Sequence, residues 1–79
     1  MSTRQLLDDA KVVRSSIKLL AACRYGDFSH FSLAISLICD SSADVNYSNG
    51  FSTPLNFSLN FHNFHTAKYL LNVPGIDIN

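Results

Sequence analysis

The chain has 79 residues, of which 47% are hydrophobic and 15% are charged, and its formal net charge is zero. This length and composition indicate one small globular domain with a thin core, and they exclude an intrinsically disordered chain. A neutral chain with scattered basic residues offers no electrostatic footprint for nucleic acid or for an anionic membrane.

The two cysteines and the N-terminal residues indicate an intracellular protein. Cys23 and Cys39 fall within predicted helices, and we expect both to be small buried side chains in a reducing compartment. A disulfide or a reactive thiol is the alternative. The first residues lack the apolar region of a signal peptide, and the apolar stretch 31–39 is too short to span a bilayer. We expect a cytoplasmic location first and a nuclear one second, with no membrane partner.

An apolar pattern near the N-terminus predicts the first helix. Its members are spaced 4, 3, 4 and 3 residues apart, which places them on one stripe of an amphipathic helix: Leu6, Ala10, Val13, Ile17 and Leu20. Ser15 and Ser16 could interrupt the helix, since serine is a good N-cap for a second helix that begins near Ile17. One long helix and two shorter ones are both compatible with this segment.

Gly26 and Asp27 predict a turn, because glycine favours the end of one helix and aspartate caps the next. The following helix should cover about 29–39, before a break at 40–42. The segment 47–52 then reads as a tight turn, with Asn49 and Gly50 as the two residues that tolerate positive φ.

Thr53 and Pro54 predict the start of a third helix, with threonine as N-cap and proline at the first helical position. This helix should end near Phe61. After a turn at 62–63, a fourth helix should run from 64 or 65 to 72, where the Pro-Gly dipeptide that follows stops it. Its inner side should carry Ala67, Leu70 and Leu71.

A repeated triplet organises these elements. Asp44-Val45-Asn46 recurs 33 residues later as Asp77-Ile78-Asn79, and Thr53-Pro54-Leu55 lies between the two copies. A period near 33 with a Thr-Pro-Leu start resembles the ankyrin-repeat family. A degenerate first repeat resembles the family's common opening in the segment 20–27, which ends in Gly-Asp. The resemblance covers about 17–79.

The sequence departs from the family pattern in several places. Asn56 replaces the usual histidine after Thr-Pro-Leu, and the first repeat has no Thr-Pro-Leu. His62-Asn63 replaces the usual Gly-His turn, and we expect Asn63 to adopt the left-handed conformation there at some cost in stability.

The resemblance implies an all-α ankyrin-repeat solenoid of about two repeats. It divides the chain into an N-terminal helical capping segment (1–16), a degenerate repeat (17–46) and a second repeat (47–79). Repeats of this kind stack and present inner-helix ends and turn tips as a concave surface for protein partners. On this chain the surface implied by the resemblance comprises Arg24, Tyr25, Tyr47, Asn49, Phe51, Ser52, Asn60 and Phe61.

No residue pattern predicts catalysis, a metal or a cofactor. His62 and His65 have no third ligand at a familiar spacing, and His30 lies about 13 Å along a helix from Cys39. We therefore expect a non-catalytic module that binds a partner protein. The alternatives are a terminal stacking piece of a longer ankyrin array, or a targeting module for an enzyme domain outside this chain. Self-association through a C-terminal face bearing Leu70, Leu71 and Ile76 is a further expectation.

Overall fold

The structure of the protein, a computed structural model, describes residues 3–78. Within this range the chain folds into four α-helices and contains no β-strand. The helices are α1 (Thr3–Cys23), α2 (Phe28–Asp40), α3 (Pro54–Asn60) and α4 (Phe64–Leu71). They pack into one unit with a radius of gyration of 12.4 Å and a longest dimension of 41 Å. The predicted all-α class is therefore confirmed.

The starts of α2 and α3 follow from local side-chain chemistry. The Asp27 carboxylate accepts a hydrogen bond from the His30 backbone N–H at 3.3 Å, and Thr53 Oγ1 accepts one from Asn56 N–H at 3.3 Å. Pro54 occupies the first turn of α3, where its missing N–H leaves no bond unmade. Both predicted N-caps are confirmed, and the predicted helix ends lie within one residue of those observed.

Helix α1 is continuous, so the alternative with one long helix is the one observed. Ser16 does not break it, because its hydroxyl donates to the Val12 carbonyl one turn back at 2.7 Å. The same oxygen accepts a bond from the Asp44 backbone N–H at 2.8 Å. The serine thus ties α1 to the loop after α2 instead of starting a new helix.

Most of the apolar stripe of α1 is exposed and lies away from the core. Of its members, Leu20 is buried, whereas Leu6, Val13 and Ile17 are about half exposed, at 56%, 49% and 52%. The core side of α1 is instead formed by Ser16, Leu19, Ala22 and Cys23. The other helices cover only the C-terminal half of α1, since every residue in 6–11 is exposed. Periodicity identified a helix but could not identify which face meets its neighbours.

A single apolar core joins all four helices. The largest fully buried side chains are Leu19 of α1 and Leu70 of α4, and α3 contributes the fully buried Pro54 and Ser58. The complete buried cluster comprises Leu19, Ala22, Cys23, Ala34, Leu37, Ala43, Leu55, Ala67 and Leu70. Two of the three predicted inner residues of α4 are confirmed, but Leu71 is 51% exposed. The prediction that Leu70 lies on an uncovered C-terminal face is wrong, because the core encloses it.

The turn between α3 and α4 differs from the prediction. His62, not Asn63, adopts the left-handed conformation, with φ of 59°. Asn63 is buried and its amide Nδ2 donates to the Cys23 carbonyl at 2.7 Å. A Cβ at position 26 would lie 2.5 Å from Asn63 Oδ1. Gly26 therefore allows this asparagine to approach the end of α1.

The two copies of the repeated triplet are joined by hydrogen bonds. Asn46 Nδ2 donates to the Gly75 carbonyl at 2.8 Å, and the Asp77 backbone N–H donates to Asn46 Oδ1 at 2.8 Å. The Asn46 backbone N–H in turn donates to Asp44 Oδ1 at 2.9 Å. Asn46 of the first triplet therefore holds the backbone at Gly75 and Asp77, where the second triplet begins.

Candidate protein-binding surface

The ends of α1 and α3 bring together Arg24, Phe57 and Phe61, which we call the Arg24 patch. The Arg24 guanidinium carbon lies 5.3 Å from the centroid of the Phe61 ring. Phe57 and Phe61 are one helical turn apart, and their rings meet edge to face at 6.0 Å. Phe57 packs against the core, whereas Arg24 is exposed and Phe61 is 44% exposed. The Arg24 patch therefore exposes a cation and part of an aromatic ring, and that ring contacts Phe57, which packs against the core.

Tyr25 lies beside this patch in sequence but contacts a different residue. Its ring centroid is 4.6 Å from that of His30, and the side chain is 48% exposed. His30 Nδ1 is in turn paired with the Asp27 carboxylate. This hydrogen bond is the main reason that the pKa of Asp27 lies below its usual value. Asn60 is exposed at the end of α3.

The turn before α3 presents Phe51 to solvent. Asn49 Oδ1 accepts bonds from the backbone N–H groups of both Phe51 and Ser52 at 2.9 Å. Gly50 supplies the positive φ, at 95°. Phe51 is 93% exposed, whereas Tyr47 and Ser52 are half-buried. Among the predicted tip residues, Asn49 thus shapes the turn and Phe51 projects from it.

An aromatic groove that the sequence analysis missed lies at the N-terminal ends of α2 and α4. It encloses about 350 Å³, and its aromatic lining consists of Phe28, Phe31, His62, Phe64 and His65. Phe28 and Phe64 are 80% and 61% exposed. Phe28 is the first residue of α2 and Phe64 is the first residue of α4. This shared position is the sequence feature from which the groove could have been predicted. The groove has the size and character to accept an apolar side chain.

The two thiols have different environments, so the prediction that both are buried is wrong for one of them. Cys23 is fully buried, and burial raises the pKa of its thiol to about 11. Cys39 is exposed, with Sγ 3.3 Å from the Tyr69 hydroxyl. This contact raises the pKa of Tyr69. Both cysteines are free thiols.

The described surface exposes several phenylalanines and an arginine. Within residues 3–78, the His, Cys and Asp side chains form no cluster of three or more that could hold a metal ion. In the same range, none of the helices combines the length and the apolar character needed to cross a membrane. Exposed phenylalanines and an arginine are instead the side-chain types enriched in protein interfaces.

Comparisons with protein families, with characterised proteins and with solved structures gave no match to this chain.

Proposed function

We propose that this chain is a non-catalytic, ankyrin-type recognition domain that binds a partner protein. Its two repeats are the segment 17–46, with the end of α1 and α2, and the segment 47–79, with α3 and α4, and the residues before 17 form an N-terminal cap. The binding surface comprises the Arg24 patch and the tip residue Phe51, with Tyr25, Asn60 and the remaining tip residues around them.

Three features support the ankyrin assignment. The element order is two helix pairs joined by a loop that ends in the capped Thr53-Pro54 start. Each of the triplets that recur with a period of 33 follows the second helix of a pair. The Asn46 side chain links one triplet to the other, as expected for stacked units that depend on their neighbours.

The observation that carries the binding proposal is the exposure of Phe51 and, in part, of Phe61. Phe51 is 93% exposed on a turn that Asn49 already closes by hydrogen bonding. Phe61 is 44% exposed and Arg24 lies over its ring. Aromatic and arginine side chains dominate the energetic centres of protein interfaces. Burial of these side chains in an interface with a partner would contribute hydrophobic free energy that is absent while they are exposed.

Affinity capture followed by binding measurements tests this proposal. Partners recovered with the wild-type chain are identified by mass spectrometry, and Kd is then measured for Phe51→Ala, Arg24→Ala and Phe61→Ala. We expect each change to weaken binding by about fivefold to thirtyfold, which corresponds to about 1–2 kcal/mol for each interface side chain. Leu33→Ala is the control, because Leu33 is 45% exposed on α2 and belongs neither to the proposed surface nor to the aromatic groove.

Thermal melts separate binding effects from folding effects. Phe51→Ala should leave the Tm nearly unchanged, because its side chain has almost no contact area to lose. If all three variants bind as tightly as the wild type, the proposed surface is wrong. If Phe51→Ala unfolds the chain, Phe51 is part of the core and not of a binding site.

Stacking within a longer array is the second candidate function, and the exposure of Leu71 and Ile78 favours it. They are 51% and 67% exposed in the second helix pair. In that case Leu71→Asp and Ile78→Asp should abolish capture of the partner, whereas Phe51→Ala should be without effect.

A further inference from the structure

The aromatic groove between the starts of α2 and α4 has walls that its own side chains support. The rings of His62 and Phe64 meet edge to face with their centroids 5.8 Å apart, and those of Phe31 and His65 are 6.3 Å apart. The groove encloses about 350 Å³, which lies at the lower end of the range for small-molecule sites. Its size therefore suits a ligand with one or two rings.

The first turn of α4 contributes backbone donors to the groove. Its N-cap residue, Asn63, makes no side-chain capping bond, because its amide Nδ2 donates to the Cys23 carbonyl. Within the described part of the chain, the N–H groups of residues 64–66 have neither a capping nor a backbone acceptor. All three residues line the groove. Unpaired N–H groups at the start of a helix carry partial positive charge and attract anions.

The Thr66 side chain gives independent evidence for a polar ligand at the same place. Thr66 is only 3% exposed, yet its hydroxyl has no hydrogen-bond partner among residues 3–78. No side-chain oxygen in that range is both fully enclosed and unpaired, so the small accessible part of Thr66 includes its hydroxyl oxygen. Because Thr66 lines the groove, this oxygen faces it. Buried hydroxyl groups normally have a partner, and a ligand in the groove supplies one.

The charges around the groove suit an anionic ligand. No carboxylate is among the residues that line it, and the imidazoles of His62 and His65 can both donate N–H bonds. Asp27 lies between two lining residues in sequence, but its carboxylate accepts from the His30 backbone N–H and is paired with His30 Nδ1. A ligand anion at the start of α4 therefore meets donors on the groove lining and no acidic side chain.

We propose that the aromatic groove binds a small aromatic carboxylate of the arylacetate type. The ring of the ligand packs against Phe28 and Phe64, and its carboxylate accepts hydrogen bonds from the unpaired N–H groups of α4 and from the Thr66 hydroxyl. A free acid fits better than the C-terminal residue of a peptide. A bound peptide also needs partners for its backbone, and residues 3–78 contain no strand edge to supply them.

Amide NMR titration of the full chain with naphthylacetate tests the site. We expect saturable binding with a Kd of about 1 mM or lower and the largest shifts at the amides of residues 64–66. Naphthylethanol is the matched control ligand, because it carries the same ring without a charge. It should bind at least about tenfold more weakly, since hydrogen bonds to a charged acceptor are the stronger ones.

Two variants separate the carboxylate contacts from the ring contacts. Thr66→Val should weaken binding of the acid about tenfold and binding of the alcohol less than about threefold, whereas Phe28→Ala should weaken both ligands by a similar factor. Thr66→Val should not lower the Tm, because the hydroxyl that it removes has no protein partner.

Three results overturn the proposal: no saturable binding of the acid, equal affinity for acid and alcohol, or unchanged affinity of Thr66→Val for the acid. Tighter binding of a peptide that ends in phenylalanine than of naphthylacetate would overturn the assignment to a free acid.

Discussion

The Asn63 side chain connects the turn between α3 and α4 to the end of α1. Its Nδ2 donates to the Cys23 carbonyl at 2.7 Å, and its backbone N–H donates to the Ser58 carbonyl at 2.7 Å. The carbonyls in the last turn of a helix have no partner within the helix. Asn63 therefore satisfies a buried acceptor that solvent cannot reach, and it does so across the boundary between the two helix pairs.

We predict that Asn63→Ala destabilises the protein by about 1–3 kcal/mol, because it leaves the Cys23 carbonyl buried without a partner. Asn72→Ala is the matched control, since Asn72 Nδ2 also donates to a backbone carbonyl, that of Lys68 at 2.8 Å, but at an exposed site. The control should change stability by less than about 0.5 kcal/mol. Urea unfolding measures both changes. Equal effects would show that the buried bond contributes no more than the exposed one.

The sequence predicted the turn between α3 and α4, but the role of Asn63 in that turn could not be predicted from it. A histidine and an asparagine both occur in the left-handed region, so local chemistry did not decide which of the two would adopt it. The deciding contact joins Asn63 to a carbonyl 40 residues earlier in the chain. The same limit applies to Cys39, whose exposure depends on how α2 packs and not on its neighbours in sequence.

At the scale of the elements, the starts of α2 and α3 were predictable because their causes are local. A capping side chain and the N–H that it binds are three residues apart. The buried face of α1 was not predictable in this way. Its apolar residues are numerous enough to form two faces, one in the core and one that carries Leu6, Val13 and Ile17, each about half exposed. Only the positions of the other helices determine which face is buried.

The cap of α2 predicts a pH dependence of stability. Hydrogen bonding to His30, on both its side chain and its backbone, holds the pKa of Asp27 below its usual value. Because the folded pKa lies below the unfolded one, the stabilisation is present above about pH 4 and is lost as the pH falls through the folded pKa. NMR titration of the Asp27 carboxyl should give a midpoint below that of an ordinary aspartate.

Two variants separate the contributions to the Asp27 midpoint. His30→Ala should return the pKa of Asp27 toward its usual value, because it removes the side-chain hydrogen bond that is the largest cause of the shift. Asp27→Asn keeps an N-cap acceptor without a titrating group, so this part of the acid-induced loss of stability should disappear. An Asp27 midpoint unchanged by His30→Ala would contradict the assignment.

At the scale of the whole molecule, periodicity and turn residues predicted the helices in their observed order, with one or two helices left open at the N-terminus, and the all-α class was implied by the family resemblance. The sequence did not predict which apolar side chains are buried and which are exposed. Leu70 and Leu71 are adjacent and identical in type, and the sequence analysis placed both on the inner side of α4. The structure buries Leu70 completely and leaves Leu71 51% exposed. Which of them faces the core depends on the rotation of α4 against α2 and α3, which no local pattern encodes.

Leu70 and Leu71 provide a test of whether the α1–α2 pair and the α3–α4 pair unfold as one cooperative unit. Leu70→Ala should destabilise the protein by about 2–5 kcal/mol, because it opens a cavity in the shared core. That is a large fraction of the stability of a small domain. Leu71→Ala, which removes the same atoms from a half-exposed site, should cost less than about 1 kcal/mol. Urea unfolding and circular dichroism measure the two changes.

Hydrogen exchange locates the effect within the molecule. The core cluster joins Leu70 of α4 to Leu19 of α1 and Leu37 of α2. Leu70→Ala should therefore lower the protection of slowly exchanging amides in α1 and α2 as much as in α4, since all of them exchange through the same global unfolding. If only the α3–α4 amides lose protection, the α1–α2 pair folds without its neighbour. The dependence between neighbouring repeats that an ankyrin-type solenoid requires would then be absent from this chain.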